Sequence, residues 1–279
     1  MRQAAAFNGL PLVHLNHPID CIADMKRLLL AKLLCAIFLL TGCGWDSANV
    51  NEAHIPFRYA IPCSLYAGGA LVGGGVILAT SETSEKGVLV TARHVITYNR
   101  DYLTSIAFAT TNKTKIYLAD SKSRWHTVKD KSIDVAWMVL STSEMRGMHD
   151  NTLKVQIDIE EGYTLYKGDA VKILSPTDNY DASYYKELTL EGEFFPENLH
   201  LKHTMLKVGM VNISTPISDS GSPVFAIKNN KKCLVGTTSI SRKDPDATGF
   251  INIDRWISPV VHTFNGGKGV KLSACPDLW

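Results

Sequence analysis

Three polar residues, far apart along the chain, have the side-chain types needed for acyl transfer. His94 follows one apolar stretch, Asp134 precedes another, and Ser220 stands in a turn-rich segment before Gly221. A serine hydroxyl is a weak nucleophile until a base takes its proton, and histidine, with a reference pKa of about 6.5, suits that task near neutral pH. A carboxylate can hold the imidazole in the required tautomer and stabilise its protonated form. We therefore expect His94, Asp134 and Ser220 to act together as base, orienting group and nucleophile.

The elements that must position these residues are short strands. Between polar breaks, the chain carries apolar or alternating runs that are typical of strands and too short for helices. One helix is expected late in the chain, at residues 255–263. Many short strands with few helices predict an all-β fold of paired barrels or a sandwich. The predicted strands cover residues 70–78, 87–91, 106–109, 115–119, 135–140, 153–159, 170–174, 187–192, 205–212, 223–227, 232–240 and 248–253.

The N-terminal part of the sequence predicts a targeting segment. A basic start at residues 25–27 precedes a short apolar run at residues 33–40, and small residues follow before Cys43. The apolar run is shorter than the roughly 20 residues that span a bilayer, and the pattern resembles a bacterial lipoprotein signal with Cys43 as the lipidated residue. An ordinary secretory signal or a poor membrane anchor is the alternative.

This pattern divides the chain into three segments. Residues 1–42 are expected to be an upstream extension plus the signal peptide, residues 43–56 a tether, and residues 57–279 the folded domain. The expected location is the bacterial cell envelope, with the lipid on Cys43 as the link to the membrane. Gly44 rather than an aspartate follows the cysteine, which predicts the outer membrane, facing the periplasm, in a cell with two membranes.

Composition argues against several other classes of function. The formal net charge is only +2 without a basic run, so we expect no nucleic-acid partner. His200 and His203 lack a nearby cysteine or carboxylate to complete a metal site, and we expect neither a metal nor another cofactor. Cys63, Cys233 and Cys275 allow at most one disulfide, and the sequence leaves the pairing open.

Four motifs together resemble the trypsin-like serine proteases, and most closely their bacterial HtrA-type branch. They are Gly-Gly-Gly-Val-Ile-Leu at residues 73–78, Thr-Ala-Arg-His-Val at 91–95, Asp-Val-Ala at 134–136 and Ser-Asp-Ser-Gly-Ser-Pro at 218–223. The resemblance covers about residues 60–257. It implies two antiparallel six-stranded β-barrels with the site in the cleft between them. The short C-terminal helix predicted at residues 255–263 would follow, and the residues after Ser220 are too few for an appended PDZ domain.

The resemblance also implies an oxyanion hole made by the backbone N–H groups of Ser218 and Ser220. Such a donor contributes about 3–4 kcal/mol to transition-state stabilisation in known enzymes. The position of Ser218 is usually glycine in the family, so the hole is expected to be collapsed in the free protein or impaired. Asp219 matches an aspartate that binds a newly formed N-terminal amine in digestive relatives. Here we expect no such activation, with Asp219 finding another partner or facing solvent.

Four further residues are implied in substrate binding. Ser214 is expected near the base of the specificity pocket, Ser239 and Ser241 along a strand that pairs with the substrate, and Gly249 in the pocket wall. An acidic residue is absent from the Ser214 position, so the sequence predicts a small or apolar side chain before the scissile bond.

The expected function is a serine endopeptidase that acts on protein or peptide substrates. The first alternative is a catalytically silent lipoprotein that keeps the protease fold to bind peptides or a partner protein. The second is an envelope structural lipoprotein of unrelated β fold.

Overall fold

Antiparallel strands make up most of the regular structure in the computed structural model. Cys43, the signal segment, Ser218 and Cys275 lie outside the described residues, so the expectations about them stay predictions. The structure describes residues 55–67, 70–97, 105–109, 115–119, 121–148, 154–159, 164–176, 187–197, 199–201, 204–206, 208–216, 219–228, 231–243 and 245–274.

The strands and helices follow one another along the chain with short connections. The strands are β1 (Tyr59–Ala67), β2 (Ala70–Ala79), β3 (Gly87–Thr91), β4 (Ser105–Ala109), β5 (Lys115–Ala119), β6 (His126–Thr127), β7 (Ala136–Leu140), β8 (Val155–Gln156), β9 (Ala170–Pro176), β10 (Glu187–Pro196), β11 (Leu199–Leu201), β12 (Thr204–Leu206), β13 (Gly209–Val211), β14 (Pro223–Lys228), β15 (Lys231–Lys243), β16 (Asp246–Asn252) and β17 (Val270–Lys271). The α-helices are α1 (Arg93–Thr97), α2 (Ser121–Arg124), α3 (Thr142–Arg146) and α4 (Ile257–Phe264).

The strands form two antiparallel systems. The first is a nine-stranded sheet in the order β17-β6-β7-β3-β2-β1-β4-β5, with β8 paired to β1, and the second is a closed six-stranded barrel in the order β10-β13-β16-β15-β14-β9. In the first sheet, β6, β8 and β17 are pairings of two residues each, and the six longer strands equal the number predicted. The all-β fold class with two antiparallel strand systems is thereby confirmed.

Three differences from the predicted elements concern a missed strand, a divided strand and the start of the late helix. Strand β1 was not predicted, because Pro62 and Ser64 interrupt its apolar pattern although nearly all of the strand is buried. The predicted strand at residues 205–212 is divided between β12, in a separate hairpin with β11, and β13, in the barrel. The helix begins at Ile257, after a 3₁₀ turn at Ile253–Arg255.

One hydrophobic core spans both strand systems. It combines Val90 and Trp137 of the first sheet with Phe225 and Ile251 of the barrel, all at most 1% exposed. Helix α4 adds its apolar face to the same cluster. Burial of this shared surface holds the two systems against each other and fixes the cleft between them.

The buried cysteines lie on different strand systems. Cys63 is in β1 and Cys233 in β15, and within the described part of the chain neither forms a disulfide. Burial raises the pKa of the Cys63 thiol, so this side chain behaves as a small apolar group.

Two kinds of feature are absent from the described residues. No helix among them is both long and apolar enough to span a membrane. Likewise, no group of three or more histidine, cysteine, aspartate or glutamate side chains in those residues could hold a metal ion.

Candidate active site

Strand pairing brings His94 and Asp134 together. Strand β3 pairs with β7 up to Thr91 opposite Ala136, and the two residues lie just beyond that pair, His94 in α1 and Asp134 in the loop before β7. The His94 Nδ1 atom lies 2.6 Å from Asp134 Oδ2, and the His94 backbone N–H donates to Asp134 Oδ1 over 3.0 Å. One carboxylate therefore holds both the ring and the main chain of the histidine, which leaves Nε2 as the ring nitrogen that can accept a proton.

Each member of this pair changes the pKa of the other. Burial alone would lower the pKa of His94, but the charge of Asp134 and the hydrogen bond to it outweigh burial and raise that pKa above its ordinary value. Burial would likewise raise the pKa of Asp134, but the His94 charge and the hydrogen bonds from His94 and Ser239 lower it. At neutral pH the site therefore holds a buried carboxylate beside an imidazole with increased proton affinity.

A β-bulge directs Ser239 to the same carboxylate. The register of β15 against β16 shifts between Thr238 and Ile240, and bulges of this kind re-aim a side chain. The Ser239 hydroxyl donates to Asp134 Oδ2 over 2.5 Å. Ser239 was expected only to pair with substrate through its backbone, and the bulge that gives it this second contact has no signal in the sequence.

Ser220 lies in a tight turn between the two strand systems. Gly221, which follows it, has φ +93°, a backbone conformation that favours glycine. A Cβ at Gly221 would lie 2.2 Å from the Thr91 hydroxyl. The Ser220 carbonyl accepts a 2.9 Å hydrogen bond from the N–H of Gly74 in β2, so the barrel that supplies the serine is tied to the sheet that supplies the histidine.

Thr238 anchors the turn from the other side. Its carbonyl accepts from Gly221 N–H at 2.7 Å, and its N–H donates to the Ser222 carbonyl at 2.8 Å. Its hydroxyl donates to the Asp219 carbonyl at 2.5 Å and accepts from Ser222 N–H at 3.0 Å. This single threonine therefore bonds to the residues on both sides of Ser220.

The glycines of β2 allow this close approach. A Cβ at Gly74 would lie 2.1 Å from the Ser222 hydroxyl oxygen, and one at Gly73 would lie 2.8 Å from the Ser220 carbonyl. The Gly74 carbonyl also accepts a 2.7 Å hydrogen bond from the Thr91 hydroxyl. The glycine-rich strand therefore serves backbone packing beside the serine.

His94 and Ser220 line one cleft of about 180 Å³ together with Thr215, Pro216, Thr238, Ser239, Ile240 and Ser241. The Ser220 hydroxyl donates to the Ser239 carbonyl over 3.3 Å, a long hydrogen bond that a modest rotation of the side chain would break. Because the Ser239 hydroxyl also bonds to Asp134, Ser239 links Ser220 to the carboxylate that holds His94.

The predicted substrate-binding residues divide into two layers. Ser239 and Ser241 line the cleft. Ser214 lies behind them, with its hydroxyl 3.1 Å from that of Ser241. Gly249 lies behind Ile240 on the neighbouring strand, where a Cβ would be 2.8 Å from the Ile240 Cγ2 atom.

Asp219, directly before the serine, is a buried acid with an unusual environment. It is 0% exposed, and the Ser175 hydroxyl donates to its Oδ1 atom. Among the described residues, its Oδ2 atom has no hydrogen-bond partner. Burial raises the pKa of Asp219 to about 7, although the Ser175 hydrogen bond acts in the opposite direction. Of the two expected outcomes, another partner and exposure to solvent, the structure shows the first.

Sequence reasoning missed the structural role of Thr238, Ser175 and the buried Arg93. Each acts through long-range hydrogen bonds. Thr238 bonds to Asp219 and Ser222, and Ser175 bonds to Asp219. Arg93 bonds to the loop before Asp134. Of these three residues, only Arg93 could have been singled out in the sequence. It is a charged residue next to an apolar strand end, and a charged side chain in such a buried position needs partners.

Comparison with known proteins identifies the fold. No family model matches the sequence, and no curated protein matches it either. Tobacco etch virus protease in complex with product aligns with a TM-score of 0.50 and 12% identity over 77% of this chain and 82% of that chain. A mutant of human heparin binding protein aligns with a TM-score of 0.50 and 11% identity over 78% of this chain and 95% of that chain. The chain is thus similar in fold to trypsin-like proteases.

Asp219→Asn should flatten the pH dependence of stability. The folded protein keeps the Asp219 proton up to about pH 7, whereas the unfolded chain releases it near its ordinary pKa of 3.8. Wild-type stability should therefore fall by up to about 1.4 kcal/mol per pH unit across that window, and the variant lacks this contribution. Urea unfolding at pH 5 and pH 8 measures the difference.

The exposed Asp254 provides the matched control. Asp254→Asn should leave the difference between the two pH values as in the wild type. An Asp219→Asn protein with the wild-type pH dependence would show that Asp219 is not a neutral acid in the folded state.

Proposed function

We propose that this chain is a serine endopeptidase that hydrolyses peptide bonds through Ser220, His94 and Asp134. The observation that carries the proposal is the 2.6 Å contact between His94 Nδ1 and Asp134 Oδ2, beside a cleft that His94 shares with Ser220. The trypsin-like fold supports a protease-type function in general. The presence of Ser220 at the turn favours a serine as the nucleophile over other residue types.

The proposed reaction has two acyl-transfer steps. In the first, Ser220 Oγ attacks the carbonyl carbon of the scissile bond while His94 Nε2 takes the hydroxyl proton. The tetrahedral intermediate collapses as His94 returns that proton to the leaving amine, and an acyl-enzyme ester remains on Ser220. In the second step, His94 takes a proton from water, the resulting hydroxide attacks the ester, and the proton returns to Ser220 Oγ.

Two groups stabilise the protonated imidazole that forms in each step. Asp134 is 2% exposed, so its charge acts on His94 in a region of low dielectric, where the attraction exceeds that in water. The hydroxyl of Ser239 holds the same carboxylate oxygen in place. The developing oxyanion would be bound by the N–H groups of Ser220 and Ser218, the latter outside the described residues.

The substrate would bind as an added strand along β15. The pairing of β14 with β15 ends at Pro223 opposite Thr237, and Ser239 and Ser241 line the cleft just beyond. An extended peptide can bond to such an edge through its main chain while its side chains enter pockets.

The lining of the cleft favours a small or apolar side chain before the scissile bond. Apart from His94 and Ser220, its described residues are hydroxyl-bearing ones with Pro216 and the half-buried Ile240, and none of them carries a carboxylate. A basic side chain would lose its hydration there without gaining an ionic partner. A bulky one would not fit beside Ile240 in about 180 Å³ that also holds the substrate backbone.

A fluorophosphonate probe, which labels activated serines, tests the catalytic assignment. The wild-type protein should be labelled, and Ser220→Ala should lose the label completely because the nucleophile is absent. His94→Ala should slow labelling by about 10³-fold or more, since a lone serine hydroxyl is unactivated. Ser222→Ala is the matched control, two residues along the same turn, and should keep the label.

Absence of labelling in a folded wild-type protein would contradict the enzyme and favour a silent peptide-binding protein of the same fold. Ser218→Gly would then test the oxyanion hole. Restored labelling would identify that residue as the block.

A peptide library varied at the residue before the scissile bond tests the substrate preference. Peptides with alanine, valine or serine at that position should have a kcat/KM about 10-fold or more above those with lysine or arginine, because the described residues of the cleft offer a basic side chain no carboxylate. The Ser220→Ala protein gives the background rate. A preference for basic residues would contradict this reading of the cleft.

The second part of the proposal is that the protein is lipid-anchored in the bacterial cell envelope through Cys43. Its support is the sequence pattern before that cysteine. Incorporation of labelled palmitate in a bacterial host should occur in the wild type and disappear in Cys43→Ala, because the thiol that carries the lipid is gone. Cys35→Ala, in the same segment, is the control and should retain the label. Equal labelling of both variants would contradict lipidation at Cys43.

A further inference from the structure

A buried arginine adjoins the proposed catalytic base. Arg93 is only 1% exposed and precedes His94 in α1, so the two side chains point about 100° apart around the helix. His94 lines the cleft, whereas the Arg93 guanidinium lies against the loop that leads to Asp134. We propose that Arg93 is a positioning residue that sets the Asp134 carboxylate against His94, an inference that rests on the proposed peptidase function of this site.

The contacts of Arg93 converge on that loop. Its Nη2 atom donates to the carbonyl of Asp130 over 3.1 Å and to the carbonyl of Ile133. The Ile133 carbonyl also accepts a 3.0 Å hydrogen bond from Val135 N–H, which closes a three-residue turn with Asp134 at its centre. Arg93 therefore holds the carbonyl that defines the direction of the Asp134 side chain.

The loop needs such a support because it lies outside the strand ladder. The pairing of β3 with β7 ends at Thr91 opposite Ala136, and the residues between β6 and β7 belong to no strand. Beyond that last pair, α1 and the loop are joined by the two bonds from Arg93 and the two from His94 to Asp134. The histidine bonds depend on where Asp134 is, whereas the arginine bonds act directly on the main chain that carries it.

The chemistry of the guanidinium suits this task. Its donors lie in one rigid plane, it stays charged at all relevant pH values, and charged donors form stronger hydrogen bonds than neutral ones. Lysine would keep the charge but offer a flexible point donor. A displacement of reacting groups by about 1 Å can cost about 10²-fold in rate, so loss of this clamp should affect catalysis although Arg93 touches no reacting atom.

Arg124, at the end of α2, offers a matched control beside the same sheet. Its guanidinium also donates to a backbone carbonyl, that of Val139, over 3.0 Å, and it forms two 2.7 Å bonds with Glu144. These contacts join α2 to β7 and α3, and they involve neither His94 nor the Asp130–Ile133 loop. Substitution of Arg124 should therefore lower stability without changing the geometry of the pair.

The test compares Arg93→Met, Arg93→Lys and Arg124→Met by NMR titration of His94 and by kinetics. In Arg93→Met, the displaced carboxylate should weaken the low-field His94 Nδ1–H resonance and move the His94 titration to lower pH. The value of kcat should fall by about 10–100-fold with little change in KM. Arg93→Lys should lie between that variant and the wild type, and Arg124→Met should match the wild type in all three measurements.

Each outcome decides one of the two proposals. A wild-type titration and resonance in Arg93→Met, or an equal change in Arg124→Met, would overturn the role of Arg93. If Arg93→Met does not fold, Arg93→Lys decides by the same criteria. A wild-type protein without peptidase activity whose His94 titration still moves in the Arg93 variants would overturn the proposed function and leave the positioning role intact.

Discussion

The arrangement of the site depends on one buried carboxylate between two strand systems. Asp134 receives the ring and main-chain N–H groups of His94 from the first sheet and the hydroxyl of Ser239 from the barrel. An ionised carboxylate at 2% exposure is stable only with such partners. The need to satisfy this charge therefore constrains the relative position of the two halves, and the shared apolar core supplies the burial that makes the constraint strong.

The nucleophile turn is held by a separate set of bonds. Thr238 from the barrel and Gly74 from the sheet hold this turn by hydrogen bonds to the backbone groups of Ser220 and its neighbours. Under the same turn, burial raises the pKa of Asp219 to about 7, so this acid is protonated below neutral pH. The turn is therefore built on neutral hydrogen bonds, whereas the histidine side of the cleft is built on charge. Ser220 is accordingly half-buried in a neutral environment, while the lowered pKa of Asp134 keeps that carboxylate ionised on the other side of the cleft.

The fold class and the three proposed catalytic residues could be predicted from the sequence because they depend on local pattern. Short apolar runs predicted the all-β fold, and residue type with chain order singled out His94, Asp134 and Ser220. Contacts that depend on register could not be predicted. The bulge in β15 moves the Ser239 side chain to the face of the strand that lies towards Asp134. No local sequence preference indicates where such a bulge occurs. Strand β1 was missed because Pro62 and Ser64 interrupt its apolar run, although nearly all of the strand is buried.

The position of Asp134 between the two strand systems has a consequence for when the site forms during folding. Because the first sheet carries His94 and the barrel carries Ser220 and Ser239, neither half alone brings these side chains together. A chain still emerging from the ribosome, or one in which only the first sheet has formed, lacks the complete cleft. Assembly of the cleft is therefore a late event of folding that waits for the tertiary structure.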